Sequence, residues 1–447
     1  MKSFTRNIIS SIVAVCFMAM LSSCVSDSYT DSPEGQDSDK YLIVLRINSL
    51  DGSTSAPYLG YKHEMVKSLR IIMLNNGAVE LNRYVVLNEN PEGINMAELE
   101  YVLTARTIEG SKKFYLFANE ESVENLQFMP EQTLEEELPD NLHAYLEGIQ
   151  PDTDDAAAGQ AFENIVNAIY FQPDYTADES GNIYIPYSSY YDGYEVGVDS
   201  SSKPDNTLQM FLVPVATKFI FQFVNYRINP VEVNNITVSS TNPDNFLLAK
   251  VNSPDDSKTY EGTDYYWVDW LAKISEASHG NSEFYDNVKF NEKYGWILNY
   301  DMPNQTVVQE SVFVGADNHE EVPAGEVDVD SEEITPSTKI LGPFYVPESR
   351  NTYTYRDETT GNDVTIQRYG LTLGLHDTSS LAGHDPVFNN VAIDNLQALF
   401  RNTCVLIKIT MSVGEVEVYA EINPWNIKTA NGWLVEGNAP PNNPFTN

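Results

Sequence analysis

Cysteine is scarce, with three in 447 residues. Cys16 and Cys24 belong to the N-terminal leader region and Cys404 is left without an intrachain partner, so the fold must hold without disulfides. Cys404 sits among alternating apolar residues and reads as a small core hydrophobe. Basic residues are also scarce: 26 Lys and Arg face 65 Asp and Glu, a net charge of −39. A surface this acidic repels phosphate backbones and anionic headgroups, which excludes nucleic acid as a partner and a basic patch as a membrane anchor. The six histidines (His63, His143, His279, His319, His376, His384) show no metal-ligand spacing with one another or with cysteine. The sequence contains no Gly-x-Ser-x-Gly, no phosphate-cradling glycine loop and no Ser/His/Asp constellation. Asp328, Asp330 and Glu332 alternate as in a calcium loop, but the glycine is absent and Val327 and Val329 fill the gaps. An acidic, wet strand face is the preferred reading there, with weak calcium binding as the other. The expectation is a protein that is not an enzyme and carries no cofactor or metal.

The apolar run at the N-terminus, Ile8 to Leu21, is shorter than the ~20 residues needed to span a bilayer. It follows Lys2 and Arg6 and ends in Leu21-Ser22-Ser23-Cys24. A charged stretch followed by an apolar one is the layout of a secretory signal. The large apolar residue three before a cysteine, with small residues between, resembles the lipobox of bacterial lipoproteins. That resemblance implies removal of residues 1–23, attachment of diacylglycerol to the Cys24 thiol, and acylation of the new amine by a palmitate-type chain. Without Lys2 and Arg6 the balance is 24 basic to 65 acidic residues, or −41, so the lipid must supply the membrane attachment. Residues 24–40 are rich in Asp, Ser, Pro and Gly without apolar periodicity, as expected of a flexible acidic tether.

With 42% hydrophobic and 11% aromatic residues the remainder can fill real cores. Tyr41, Ile43, Leu45 and Ile47 line one face of a first strand. Lys67 to Leu74 predicts a second, closed by the hairpin signal Asn75-Asn76-Gly77. Period-two alternation continues through Leu81–Leu87, Leu99–Ala105 and Phe114–Ala118. Helical periodicity is sparse. Phe162, Ile165, Val166 and Ile169 follow the capping candidates Asp154-Asp155, and Tyr265 to Ala277 is a second candidate. Polar residues 192–206 suggest a boundary, giving an N-terminal unit over 41–205 and a C-terminal unit over 206–425. The latter opens with Leu208 to Val224, where Pro214 argues for an edge or a bulge. It closes with a hairpin in which Val405 to Val413 returns as Val416 to Ile422, with Glu415, Glu417, Tyr419 and Glu421 facing water. The fold class read from these patterns is all-β: two tandem β-sandwich domains with a few short helices. Aromatic clusters at Tyr187, Tyr190, Tyr191 and Tyr194 and at Tyr265, Tyr266, Trp267 and Trp270 fit a core better than a sugar-binding face.

Several stretches in order carry a wider resemblance: the lipobox, KYLIVLRI, KSLRIIMLNNG, KKFYLFANE, FLVPVATKFIFQFVN, FYVPESRN, LFRNTCVLIKIT and INPW. Together, over most of residues 20–425, they look like the fimbrillins of Bacteroidia-type (type V) pili. The resemblance implies transthyretin-like sandwiches and a lipoprotein subunit on the outer membrane at the cell surface, with other fimbrial subunits as partners and adhesion as the role. It also implies strand exchange: a protease cuts after an arginine behind the first strand, and a neighbour's C-terminal strand fills the slot. Here the corresponding loop, Ser49 to Val66, has no arginine, and Lys62 is its one candidate for processing. A subunit that keeps its first strand keeps its lipid, so an anchor or accessory subunit is favoured over a polymerising stalk or tip fimbrillin. Residues 426–447 form the tail, with Ile427, Trp433, Leu434 and Val435 as the candidate donor strand. A rival from another class is a surface glycan-binding lipoprotein, although those of the starch-utilisation type are richer in helical repeats.

Overall fold

A computed structural model describes residues 25–28, 41–49, 64–87, 93–95, 99–128, 139–197, 207–248, 259–260, 263–264, 309–315, 317–328, 333–349, 353–356, 363–366, 369–377, 387–393, 399, 401–413 and 415–424. It is an all-β sandwich fold with two short α-helices among the described residues. The first sheet is built from β1 (Val25–Ser28), β2 (Tyr41–Ser49), β3 (Ser68–Asn75), β4 (Ala78–Val86), β5 (Glu100–Thr107), β6 (Gly110–Ala118), β7 (Tyr187–Val196) and β8 (Thr207–Pro214). Their order across the sheet is β1-β5-β2-β8-β7-β6-β3-β4. The join between β7 and β8 is two residue pairs long, Tyr187 with Pro214 and Ser188 with Val213. The strands on either side of it contribute to one core: Ile43, Leu45, Tyr101, Leu103 and Met210 from one side cluster with Leu69, Ile71, Phe114, Leu116 and Tyr191 from the other.

Local chemistry explains the individual elements. Asn76 (φ 48°) and Gly77 (φ 88°) form the two-residue turn between β3 and β4, both in the left-handed region that asparagine and glycine tolerate. Strand β6 departs from simple alternation, because Phe114, Tyr115, Leu116, Phe117 and Ala118 are all buried. The reason lies in α1 (Leu142–Glu147) and α2 (Ala156–Val166), which cover the second face. Leu142, Leu146, Phe162 and Val166 pack there with Ile72, Leu74, Tyr115 and Phe117. Asp155 caps α2 by accepting from the Ala158 amide at 2.9 Å, and Asn141 caps α1 by accepting from Ala144 at 2.8 Å. The six-residue α1 is too short to show helical periodicity in sequence, whereas α2 carries Phe162, Ile165 and Val166 as predicted but ends at Val166, and Ile169 opens a short strand paired with Phe128.

Two expectations change. Val25–Ser28, placed by sequence in the tether, pairs in parallel with Tyr101–Thr104, because the open edge of β5 offers unpaired backbone groups to any extended segment. The run Leu208 to Val224 is not one strand: Pro214 lacks an N–H and ends β8, and the chain resumes as β9 (Thr217–Asn225) in another sheet. The crossing from one sheet to the next therefore falls at Val215-Ala216.

The second half contains β9, β10 (Val231–Thr241), β11 (Gln309–Val314), β12 (Ser337–Val346), β13 (Gly370–Asp377), β14 (Val387–Ala392), β15 (Thr403–Ser412) and β16 (Glu415–Pro424). They form two sheets, β12-β9-β15-β16 and β11-β10-β13-β14. Phe313 of β11 joins the two, with its ring centroid 5.5 Å from Phe219, 5.3 Å from Phe221 and 5.0 Å from Phe344. The hairpin β15–β16 is unbroken from Ser412–Glu415 to Thr403–Pro424. Glu415, Glu417 and Tyr419 are exposed on it, as alternation requires. Cys404 is fully buried beside Ile220 and Leu406, in the core role expected of it. The helix candidate Tyr265 to Ala277 lies outside the described residues.

Candidate functional site

The first strand occupies an interior position. On one side β2 pairs antiparallel with β5, from Tyr41–Thr107 to Asn48–Glu100. On the other it pairs in parallel with β8, from Val44–Thr207 to Ser49–Leu212. Ile43, Leu45 and Ile47 are fully buried, while Leu42 and Arg46 face outward. Tyr101, Leu103, Leu208, Met210 and Leu212 belong to the same core. Burying three large apolar side chains stabilises by roughly 1.5–3 kcal/mol each. Without β2, the backbone groups of β5 and β8 that face it would flank an apolar slot one strand wide, a template for another extended segment.

Behind the loop that follows β2, the chain is held independently of that strand. Glu64 is 1% exposed, bridges Ile183 in parallel, and is followed by a Met65 amide that donates to Ile183 O at 3.0 Å. Its Oε1 lies 2.5 Å from Lys218 Nζ, which is itself fully buried, and accepts from the Tyr345 hydroxyl at 2.8 Å. Lys218 is on β9 and Tyr345 on β12, so this cluster ties the first half of the chain to the second. Burial, then the Glu64 charge, holds the Tyr345 hydroxyl well above the usual phenol range.

A second buried pair lies along the same seam. Arg401, two residues before β15, donates through Nε to both Glu348 oxygens at 3.0 Å, and both side chains are almost fully buried. Its Nη2 donates to Phe246 O at 2.7 Å and its Nη1 to Leu247 O at 3.1 Å. The Phe246 strand pairs with Tyr170-Phe171 of the first half. Val215 adds a backbone link, donating to Pro186 O at 2.8 Å and accepting from the Tyr175 hydroxyl at 2.7 Å. Sequence reasoning missed this seam. The available signal was a cation inside an apolar run, as at Lys218 in VATKFIFQF, since such a charge must find a buried partner.

The other predicted site residues lie outside the described residues: Cys24, Lys62, and the tail residues Ile427, Trp433, Leu434 and Val435. The tyrosines Tyr187, Tyr191 and Tyr194 are buried and Tyr190 is half-buried against the same core, so that cluster packs inside. His143, isolated in sequence, is carried by α1 to Glu120 and Glu121, and their side-chain donor atoms lie within 4.8 Å of one another. Among the described residues no helix is long and apolar enough to cross a membrane.

No protein-family model and no curated protein matches the sequence. Among solved structures, a C-terminally truncated tip fimbrial protein of Porphyromonas gingivalis is similar at 14% identity, covering 86% of this chain and 100% of its own, with a TM-score of 0.39. A fimbrilin of the same organism matches at 10% identity over 86% and 98%, TM-score 0.39. A fimbrial assembly protein of Parabacteroides distasonis matches at 10% identity over 86% and 98%, TM-score 0.37. At such scores the functional reading rests on this chain's own residues and geometry.

Proposed function

We propose that this chain is a structural subunit of a cell-surface fimbrium, lipid-anchored in the outer membrane through Cys24 and joined to other subunits by strand exchange. The observation that carries the reading is the interior position of β2, which separates two strands that would otherwise present a slot ready for a donor. Retention of β2 keeps the chain attached to its lipid, and the loop behind it has no arginine, which favours an anchor or accessory position. The independent hold on Glu64 supports the same division of labour, because the body downstream of the loop is fixed by contacts that do not involve β2.

The donor in this reading is the tail. Strand β16 is paired with β15 as far as Pro424, so the second sandwich has its closing hairpin before residue 425 is reached. Burying Trp433, Leu434 and Val435 in a neighbour's slot contributes ~1.5–3 kcal/mol per large side chain, set against about 1–2 kcal/mol per ordered residue of backbone. Deleting residues 431–447 is expected to leave a folded monomer of unchanged thermal stability that no longer joins its fimbrial partner. A truncated chain that still enters detergent-resistant polymers, or one that unfolds, would overturn the assignment of the tail.

A further inference from the structure

A convergent set of ligating atoms lies on the outer side of the first half, away from β2. Glu120 and Glu121 form a single 3-10 turn after β6, and α1 brings His143 over them. His143 Nδ1 is 2.6 Å from Glu120 Oε1 and 3.9 Å from Glu121 Oε1. Each donor is held by a partner behind it. Arg70 clamps Glu120 with Nε at 2.8 Å from Oε2 and Nη2 at 2.8 Å from Oε1. Ser68 Oγ donates to Glu121 Oε2 at 2.6 Å, and the Tyr84 hydroxyl donates to Glu121 Oε1. The Tyr84 ring meets the imidazole edge-on, with centroids 4.9 Å apart at 64°. Anchoring of ligand side chains by hydrogen-bonded outer partners is how metal sites fix ligand orientation.

Charge and access agree with this geometry. Arg70 pairs with Glu120 and Glu147, and Glu121 lies beside Glu120 at His143, so three carboxylates have one guanidinium among them and negative charge is in excess where the imidazole sits. Glu120 is 1% exposed, whereas His143 and Glu121 are 37% and 42% exposed, so solvent reaches the set through those two side chains. We propose that Glu120, Glu121 and His143 bind one transition-metal dication of the zinc class, with water as the remaining ligand. Bonds of about 2.0–2.2 Å place neighbouring tetrahedral ligands about 3.3 Å apart. That separation falls between the two measured from Nδ1, so with small side-chain adjustments the ion takes the place of the proton shared in the 2.6 Å Nδ1–Glu120 contact, and that proton leaves to solvent or moves to Nε2. The imidazole donor selects this class over calcium or magnesium, which take oxygen ligands.

The test uses the full chain, stripped with a chelator and titrated calorimetrically with zinc in excess calcium, with cobalt(II) as a spectroscopic probe. One equivalent of zinc is expected to bind, and cobalt is expected to show the visible bands of a nitrogen-containing, low-coordinate site. His143→Ala and Glu121→Gln should each weaken binding by about tenfold or more. His319→Ala, which removes an imidazole elsewhere, should leave it unchanged. Failure of the unaltered chain to bind one equivalent, absence of the cobalt bands, or undiminished binding by His143→Ala would each overturn the proposal. The cobalt measurement needs no variant and stands even if a substitution disturbs α1.

Discussion

Replacing Lys218 with methionine tests the seam between the first and second halves of the chain. Methionine keeps much of the apolar stem and removes the ammonium, so packing along β9 changes little while Glu64 loses its counter-charge. In the intact chain that carboxylate is 1% exposed, with Lys218 Nζ at 2.5 Å and the Tyr345 hydroxyl at 2.8 Å. One phenol cannot replace an ammonium at a buried anion, and breaking a buried pair from one side costs about 3–5 kcal/mol. The assay is urea unfolding followed by far-ultraviolet circular dichroism, with Lys218→Met, Glu64→Gln and the double variant measured in parallel. The double variant should recover at least half of the loss, since no uncompensated charge then remains. A single-variant loss below about 1 kcal/mol, the scale of an exposed pair, would refute the claim that this ion pair is a desolvated fastening.

Two further outcomes follow from the geometry and the sequence. Gly159→Ala should destabilise the chain despite alanine's advantage of about 1 kcal/mol in helices, because a Cβ there would lie 1.7 Å from Gly77 O and 2.8 Å from its carbonyl carbon; thermal unfolding checks this, and a gain in stability would show that α2 is free to move off the β3–β4 turn. Cys24→Ser should abolish incorporation of labelled palmitate and release the protein from the membrane fraction, whereas continued labelling would defeat the lipoprotein reading.

Much of the fold is legible in the residues. Alternation at Tyr41–Ile47 and Val405–Val413, the Asn76-Gly77 turn and the Asp155 cap each state a local preference that packing reinforces. The partner of β2 across the parallel pair is not legible, because β8 lies about 160 residues downstream (Leu208 against Leu45) and parallel pairing leaves no turn signal. The same limit hides the seam: Glu64 finds Lys218, and Arg401 finds Glu348, across separations that no local pattern spans. Alternation at Phe114, Leu116 and Ala118 is enough to predict β6 as a half-buried strand, and its second apolar face makes sense only with α1 and α2 packed over it. His143 reads as a surface histidine until α1 sets it above Glu120 and Glu121.

The central claim is a subunit that stays on its lipid with β2 in place. The most direct measurement is the N-terminal sequence and intact mass of the protein recovered with sheared and detergent-extracted surface fimbriae. The account predicts a chain that co-purifies with other fimbrial subunits, begins at a blocked Cys24, and has a mass that includes acyl chains and the Tyr41–Ile47 strand. A free N-terminus at His63 would contradict it, showing cleavage after Lys62 and a polymerising subunit, and absence of the chain from the fimbrial fraction would contradict the functional reading as a whole.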